Sequence, residues 1–224
     1  MENKYFANRA EAGTLLAHLL RQYQNPQTVI YALPRGGVVT ASEVALSFRA
    51  PLELLLTRKI AQRDDPELAL AAISEEGYFV SDSLTIERIE PWTQHEIERQ
   101  RKEIIRRRHI YTPGYTRMQA TGKTAIIIDD GAATGLTLRA GVLELRAEHP
   151  ARLIVALPVL PASTAERLSS EVDDVVALLE PLDREFLGSV GAYYADFHDV
   201  SDAEVKALIA ICAGRKDWSS TRPI

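Results

Sequence analysis

Five short apolar runs restrict the architecture before any motif is read: residues 28–33, 52–57, 124–128, 152–157 and 174–179. Each has the length of a strand and lacks the polar alternation of a half-solvated one, so each is expected to be buried on both faces. Helical patterns separate them, over Val38 to Phe48, Gly135 to Glu148 and Ala162 to Ser170. That alternation predicts an α/β fold with a mostly parallel sheet flanked by helices. Sheets of this kind take ligands beyond the carboxyl ends of their strands, so the loops that follow each run are where chemistry is to be sought.

Other elements are less uniform. Asn8, followed three residues later by Glu11, marks a helix start. Ala12, Leu15, Leu16, Leu19 and Leu20 form its expected apolar stripe, and Asn25-Pro26 its expected end. Leu68 to Ser74 and Tyr78 to Ser81 are expected to pair as a hairpin around Glu76-Gly77, after an exposed loop from Gln62 to Pro66. Pro91 opens a long charged helix to about His109, and a last helix is expected from about Asp202 to Cys212. Residues 1–182 thus form an expected core, with an insertion at about 82–118 that carries the charged helix. Residues 183–224 form a C-terminal hood or appendage.

The chain has 224 residues, 46% hydrophobic and 25% charged, enough for one sizeable core. A net charge of −5 gives no global electrostatic case for nucleic acid or an anionic membrane as partner. The single cysteine, Cys212, excludes an internal disulfide and a multi-cysteine metal site. No apolar stretch follows a basic start, and no run reaches the length of a membrane span, so a cytoplasmic protein is expected.

The chemistry concentrates in Ile126 to Thr137, which reads Ile-Ile-Ile-Asp-Asp-Gly-Ala-Ala-Thr-Gly-Leu-Thr. An apolar strand ends in two carboxylates, a turn of small residues follows, and a helix begins. Small residues let backbone N–H groups close around a phosphate, and a helix N-terminus adds favourable dipole charge. Adjacent carboxylates accept hydrogen bonds from vicinal hydroxyls. The segment therefore suits a sugar with a phosphate at one end; the plain alternative is a strand end with a solvated acid pair. Thr121 to Thr124 fails as a nucleoside-triphosphate loop, because its earlier glycine position is Arg117 and Lys123 precedes a strand. An aspartyl-phosphate enzyme needs a second acid where Gly131 stands.

The segment resembles the 5-phosphoribosyl-1-pyrophosphate (PRPP) motif of the type I phosphoribosyltransferases. The resemblance implies that Asp129 and Asp130 bind the ribose hydroxyls and orient Mg²⁺, mostly through water. It gives the 5′-phosphate to Ala132, Ala133, Thr134, Gly135, Leu136 and Thr137. Leu33 to Gly37 resembles the pyrophosphate loop of that family, with Arg35, Gly36 and Gly37 as ligands and a cis or strained bond expected at Pro34–Arg35. Leu55 to Lys59 is similar to an element of the orotate and adenine enzymes, which makes Arg58 and Lys59 candidate groups for the leaving pyrophosphate. Arg63 would sit on a lid from about Gln62 to Glu67.

Taken whole, with Pro66 to Ala69 and Asp196 to Val205, the chain resembles a bacterial group of phosphoribosyltransferases whose acceptor is open. The implied function is transfer of a 5-phosphoribosyl group to a nucleobase or other small nitrogen nucleophile. A PRPP-sensing regulator is the alternative, since the fold serves both roles. Ala133 departs from the 6-oxopurine enzymes, which place a carboxylate there, so hypoxanthine and guanine are disfavoured. The basic residues of the charged helix, Arg99 to Arg108, read as an exposed face paired with Glu96, Glu98 and Glu103, against an RNA-binding alternative. Tyr193, Tyr194, Phe197 and His198 form either a base-binding hood or a packed appendage. A homodimer is one assembly the resemblance allows.

Overall fold

The computed structural model describes residues 5–62, 69–81 and 91–214. The strands are β1 (Thr28–Ala32), β2 (Leu52–Leu54), β3 (Thr57–Ala61), β4 (Ala69–Ser74), β5 (Phe79–Ser81), β6 (Thr124–Ile128), β7 (Arg152–Val159) and β8 (Asp174–Leu179). The helices are α1 (Arg9–Leu19), α2 (Gly36–Phe48), α3 (Pro91–Tyr111), α4 (Leu136–Ala147), α5 (Ala162–Ser169) and α6 (Asp202–Ala213). Five strands form one parallel sheet in the order β2-β1-β6-β7-β8. This is the flanked parallel sheet that the apolar runs predict.

Both faces of the central strands are apolar because both are covered. Ile30, Ala32, Ile126, Ile128 and Ile154 pack with Leu16, Val38, Val44 and Val205 from α1, α2 and α6. Val29, Tyr31, Ala125, Ile127 and Val155 pack with Leu138, Val142, Leu145 and Leu168 from α4 and α5. The chain winds outward from β1 through α2 to β2, then the other way from β6 through α4 and β7 to β8. The winding direction reverses between β1 and β6, which opens a crevice at their carboxyl ends.

Two expectations are corrected. The buried face of α1 is rotated from the one read: Arg9, Gly13 and Ala17 are buried beside Ala12, Leu16 and Leu20, while Leu15 and Leu19 are 45% and 46% exposed. The helix lies chiefly along α2, and Gly13, where a Cβ would meet the Thr40 carbonyl at 2.5 Å, turns the close face toward the rows 9/13/17 and 12/16/20 and leaves 15 and 19 outside. It also ends sooner, tightening at Leu20–Tyr23 into a 3₁₀ turn. The run 52–57 is not one strand. Leu52–Leu54 pairs parallel to β1, the buried corner Leu55-Leu56 follows, and Thr57 starts β3 in a second sheet. An apolar run records burial, not which sheet buries it.

That second sheet, β3-β4-β5, is antiparallel and contains the expected hairpin. One face meets α3 through Ile60, Ala71, Ile73 and Ile104. The other meets α4 through Ala72, Val80, Leu136 and Ala140. Arg108 of α3 pairs with Glu75 at 2.5 Å and donates to the Leu54 carbonyl at 3.0 Å, where β2 leaves the parallel sheet. Glu96 holds Arg99, and Glu103 holds Arg106 and Arg107. Part of the helix's basic charge is therefore paired within the fold.

The chain after β8 returns to the N-terminus. Phe6 donates its N–H to the Tyr193 carbonyl, and Ala195 and Asp196 donate to the carbonyls of Phe6 and Ala7. Phe6, Tyr193 and Tyr194 are buried there against Val159. No described helix is long and apolar enough to cross a membrane. Arg63 and most of the expected lid, and the chain beyond Gly214, lie outside the described residues.

Candidate functional site

The crevice between β1 and β6 is built by two loops. Ala32 and Ile128 are register partners, and the N–H of Leu33 still donates to the Ile128 carbonyl at 3.0 Å. Beyond that rung the strands part. From β1, a cis Pro34–Arg35 bond leads into α2, whose first residues are Gly36 and Gly37. From β6 come Asp129 and Asp130, then the turn into α4.

Gly36 and Gly37 let the two loops touch. A Cβ on Gly36 would lie 1.9 Å from Asp130 Oδ2, and one on Gly37 would lie 2.7 Å from Asp129 Oδ1. No side chain larger than hydrogen fits while the acids stay in place. The acids are thus lodged against the start of α2. The Asp130 N–H donates to Asp129 Oδ1 at 2.9 Å.

Burial pushes the Asp129 carboxyl well above the usual carboxylate range, and the neighbouring Asp130 charge pushes it further. Burial raises Asp130 as well, but Arg9 opposes the shift. Arg9 Nε lies 2.6 Å from Asp130 Oδ2, and both side chains are largely shielded from solvent. The Tyr194 hydroxyl donates to the Asp130 carbonyl at 2.6 Å.

The turn into α4 has the openness a phosphate needs. Gly135 caps the helix at φ 72°, a conformation that favours glycine, and as the N-cap it supplies no side-chain hydrogen bond to this N-terminus. Thr164 fixes the turn from behind by donating to the Ala133 carbonyl at 2.8 Å. Ala132 donates to the Val159 carbonyl, while Ala133 and Thr134 stand at the rim. Leu136 and Thr137 form the first turn of α4. A cavity of 320 Å³ adjoins the loop between Ala133, Thr134, Ser163, Thr164, Arg167 and Phe186. A larger one, of 780 Å³, lies by the amino ends of β1 and β6, at the wrong end of the strands for this site.

A family model for the phosphoribosyl transferase domain matches residues 3–194. The chain belongs to this phosphoribosyl transferase family. It is 36% identical over 209 residues to a Mycobacterium tuberculosis H37Rv protein, Rv0571c, whose name carries a phosphoribosyl transferase assignment. The match covers 92% of this chain but 46% of that protein, so the chain spans about half the length of the curated relatives it matches. The crystal structure of TT1426 from Thermus thermophilus is similar throughout, with 35% identity and a TM-score of 0.77. That match covers 93% of this chain and 99% of the other.

Within this phosphoribosyl transferase domain, Arg35, Gly36, Gly37, Asp129, Asp130 and the loop 132–137 converge on one crevice. The Arg58-Lys59 pair divides. Arg58 donates to Gln100 of α3 at 2.8 Å, and burial with Arg107 nearby lowers its pKa. Lys59 pairs in register with Ala72, which packs against α4, so it occupies the opposite face and is exposed. Cross-strand partners share a face, which decides this.

Arg9, Tyr194 and Phe197 gather around Asp130; the sequence reading missed Arg9 and left both aromatics without a partner. For Arg9 a signal existed. It opens a helix at the positive end of the dipole, where acids are favoured and a cation costs stability unless something else holds it.

Proposed function

We propose that the chain is a PRPP-dependent phosphoribosyltransferase that transfers 5-phosphoribosyl to a nucleobase or other small nitrogen nucleophile and releases pyrophosphate. One observation carries this reading: the acid pair, the uncapped helix start after Gly135 and the Arg35–Gly37 loop share the crevice at the strand reversal. Each answers one part of PRPP, namely ribose hydroxyls, 5′-phosphate and pyrophosphate.

Displacement at the anomeric carbon builds positive charge on the ribose and negative charge on the leaving pyrophosphate. Arg35 and the N–H groups opening α2 face the leaving group in this reading, and Lys59, exposed on β3, adds a cation. Arg58 reaches it only by leaving Gln100. The phosphate loop fixes one end of the ribose and the acids fix its hydroxyls, so positioning supplies much of the rate. Among the described residues no cluster of three or more metal-binding side chains occurs. A two-carboxylate donor set, with Asp130 already bound by Arg9, suits a Mg²⁺ that takes its other oxygens from substrate and water. Asp129 and Asp130 would hold that ion, and it would supply charge neutralisation to the pyrophosphate.

Pyrophosphate release from PRPP and Mg²⁺, measured across a panel of bases and small amines, tests the reading. Acceptor-dependent release that disappears in the Asp129→Asn/Asp130→Asn protein is the expected result. Tight PRPP binding with no release for any acceptor would favour a sensor, and absence of binding would refute the reading.

A further inference from the structure

Asp130 is held by three groups outside its own loop, and one of them, Arg9, is itself held by the C-terminal segment. Arg9 Nε donates to Oδ2 at 2.6 Å, and Tyr194 donates to the backbone carbonyl. The Arg9 guanidinium carbon lies 3.6 Å from the centre of the Phe197 ring, and its Nη1 donates to the His198 carbonyl at 2.8 Å. Gly36 presses from the remaining side, close enough that a Cβ there would also lie 2.9 Å from Arg9 Nε. A guanidinium locked by a stacked ring and a carbonyl has little freedom to follow a moving carboxylate. It dictates where the carboxylate stays.

We propose that Arg9 is a positioning residue for Asp130, and that the N-terminal helix and the C-terminal tail act on ribose recognition through this contact. Resting on the PRPP reading, the inference assigns the two acids unequal parts. Asp130 is an acceptor held in place by the Arg9 ion pair, while among the described residues Asp129 forms no ion pair of its own. Asp130 serves the ribose hydroxyls in this division. Phe197 matters without touching ligand, because it fixes the plane of Arg9.

Calorimetry in metal-free buffer with two probes, inorganic phosphate and ribose 5-phosphate, separates the phosphate loop from ribose recognition. The wild-type protein is expected to prefer ribose 5-phosphate. Arg9→Gln should shrink that preference on the order of tenfold, the loss of one charge-assisted hydrogen bond, and leave phosphate affinity unchanged. Asp130→Asn should do the same, and the double variant should lose no more than either alone. Phe197→Leu, and Arg9→Lys with its single-point donor, should fall between, which keeps the test open if Arg9→Gln does not fold. An Arg9→Gln protein with an intact ribose preference, or losses that add in the double variant, would overturn the inference. Equal loss of both probes with a lower melting temperature would reduce Arg9 to a structural role and overturn it too. A wild-type protein that does not distinguish the probes overturns the PRPP reading first, before any variant is made.

Discussion

At the residue scale, contact distances make the glycines of the α2 start as specific as the acids. Gly36→Ala places a methyl group 1.9 Å from the Asp130 carboxylate. The carboxylate must move, so PRPP affinity measured by calorimetry should fall by about tenfold or more. Glu53 provides a second residue-level prediction, away from the site. It is buried in β2, accepts from the Tyr115 hydroxyl, and is pushed up to about 7, chiefly by burial, from an ordinary value of 4.5. The folded protein therefore holds this proton more tightly than the unfolded chain. The resulting stabilisation is full below pH 4.5 and disappears as pH rises through about 7. Its ceiling is about 3 kcal/mol. Urea unfolding between pH 5 and 8 should show a falling slope in the wild type that Glu53→Gln flattens; an unchanged slope would refute the assignment.

At the scale of elements, helix α1 separates composition from burial. Leu15, Leu16 and Leu19 all fit a helical stripe, yet Leu16 alone of the three is buried. Leu15→Glu and Leu19→Lys should each change stability by less than about 0.5 kcal/mol. Leu16→Ala should cost about 2–5 kcal/mol by leaving a cavity against α2. Chemical denaturation of the three variants checks the contrast, and a costly Leu19→Lys would show that something covers this face in solution. The corner between β2 and β3 teaches a related lesson. Leu52 to Thr57 looks continuous because every residue up to Leu56 is buried, but Arg108 takes the Leu54 carbonyl and the chain changes sheets.

For the whole molecule, residues 6–9 and 193–198, remote in the chain, meet beside the carboxylates. Tyr194 is fully buried, packs at a tilt against Phe6 and Phe197, and its hydroxyl donates to the Asp130 carbonyl. Tyr194→Ala should therefore lower stability by about 3–5 kcal/mol and weaken PRPP binding as well. Tyr194→Phe, which keeps the ring and loses the hydroxyl, should cost about 1 kcal/mol. Thermal melts with and without PRPP distinguish packing from the hydrogen bond. A Tyr194→Phe protein with unaltered binding would mean that the carbonyl contact does not reach the ligand.

Local pattern alone was enough for the parallel sheet, the hairpin, the charged helix and the two loops of the crevice. Each of these follows from short-range causes: buried strands must be apolar, tight turns need small residues, and phosphate loops need open N–H groups. The Asp129-Asp130 pair and the Gly36-Gly37 pair were legible for that reason, whereas the cis bond before Arg35 was expected only from the family resemblance. Long-range packing decided the rest. Which of two sheets Thr57 joins, which side of α1 faces α2, and which of Arg58 and Lys59 meets α3 depend on neighbours remote in the chain. The Arg9–Asp130 pair spans 121 positions. No local preference encodes it, because a salt bridge requires only proximity, and folding alone creates that proximity.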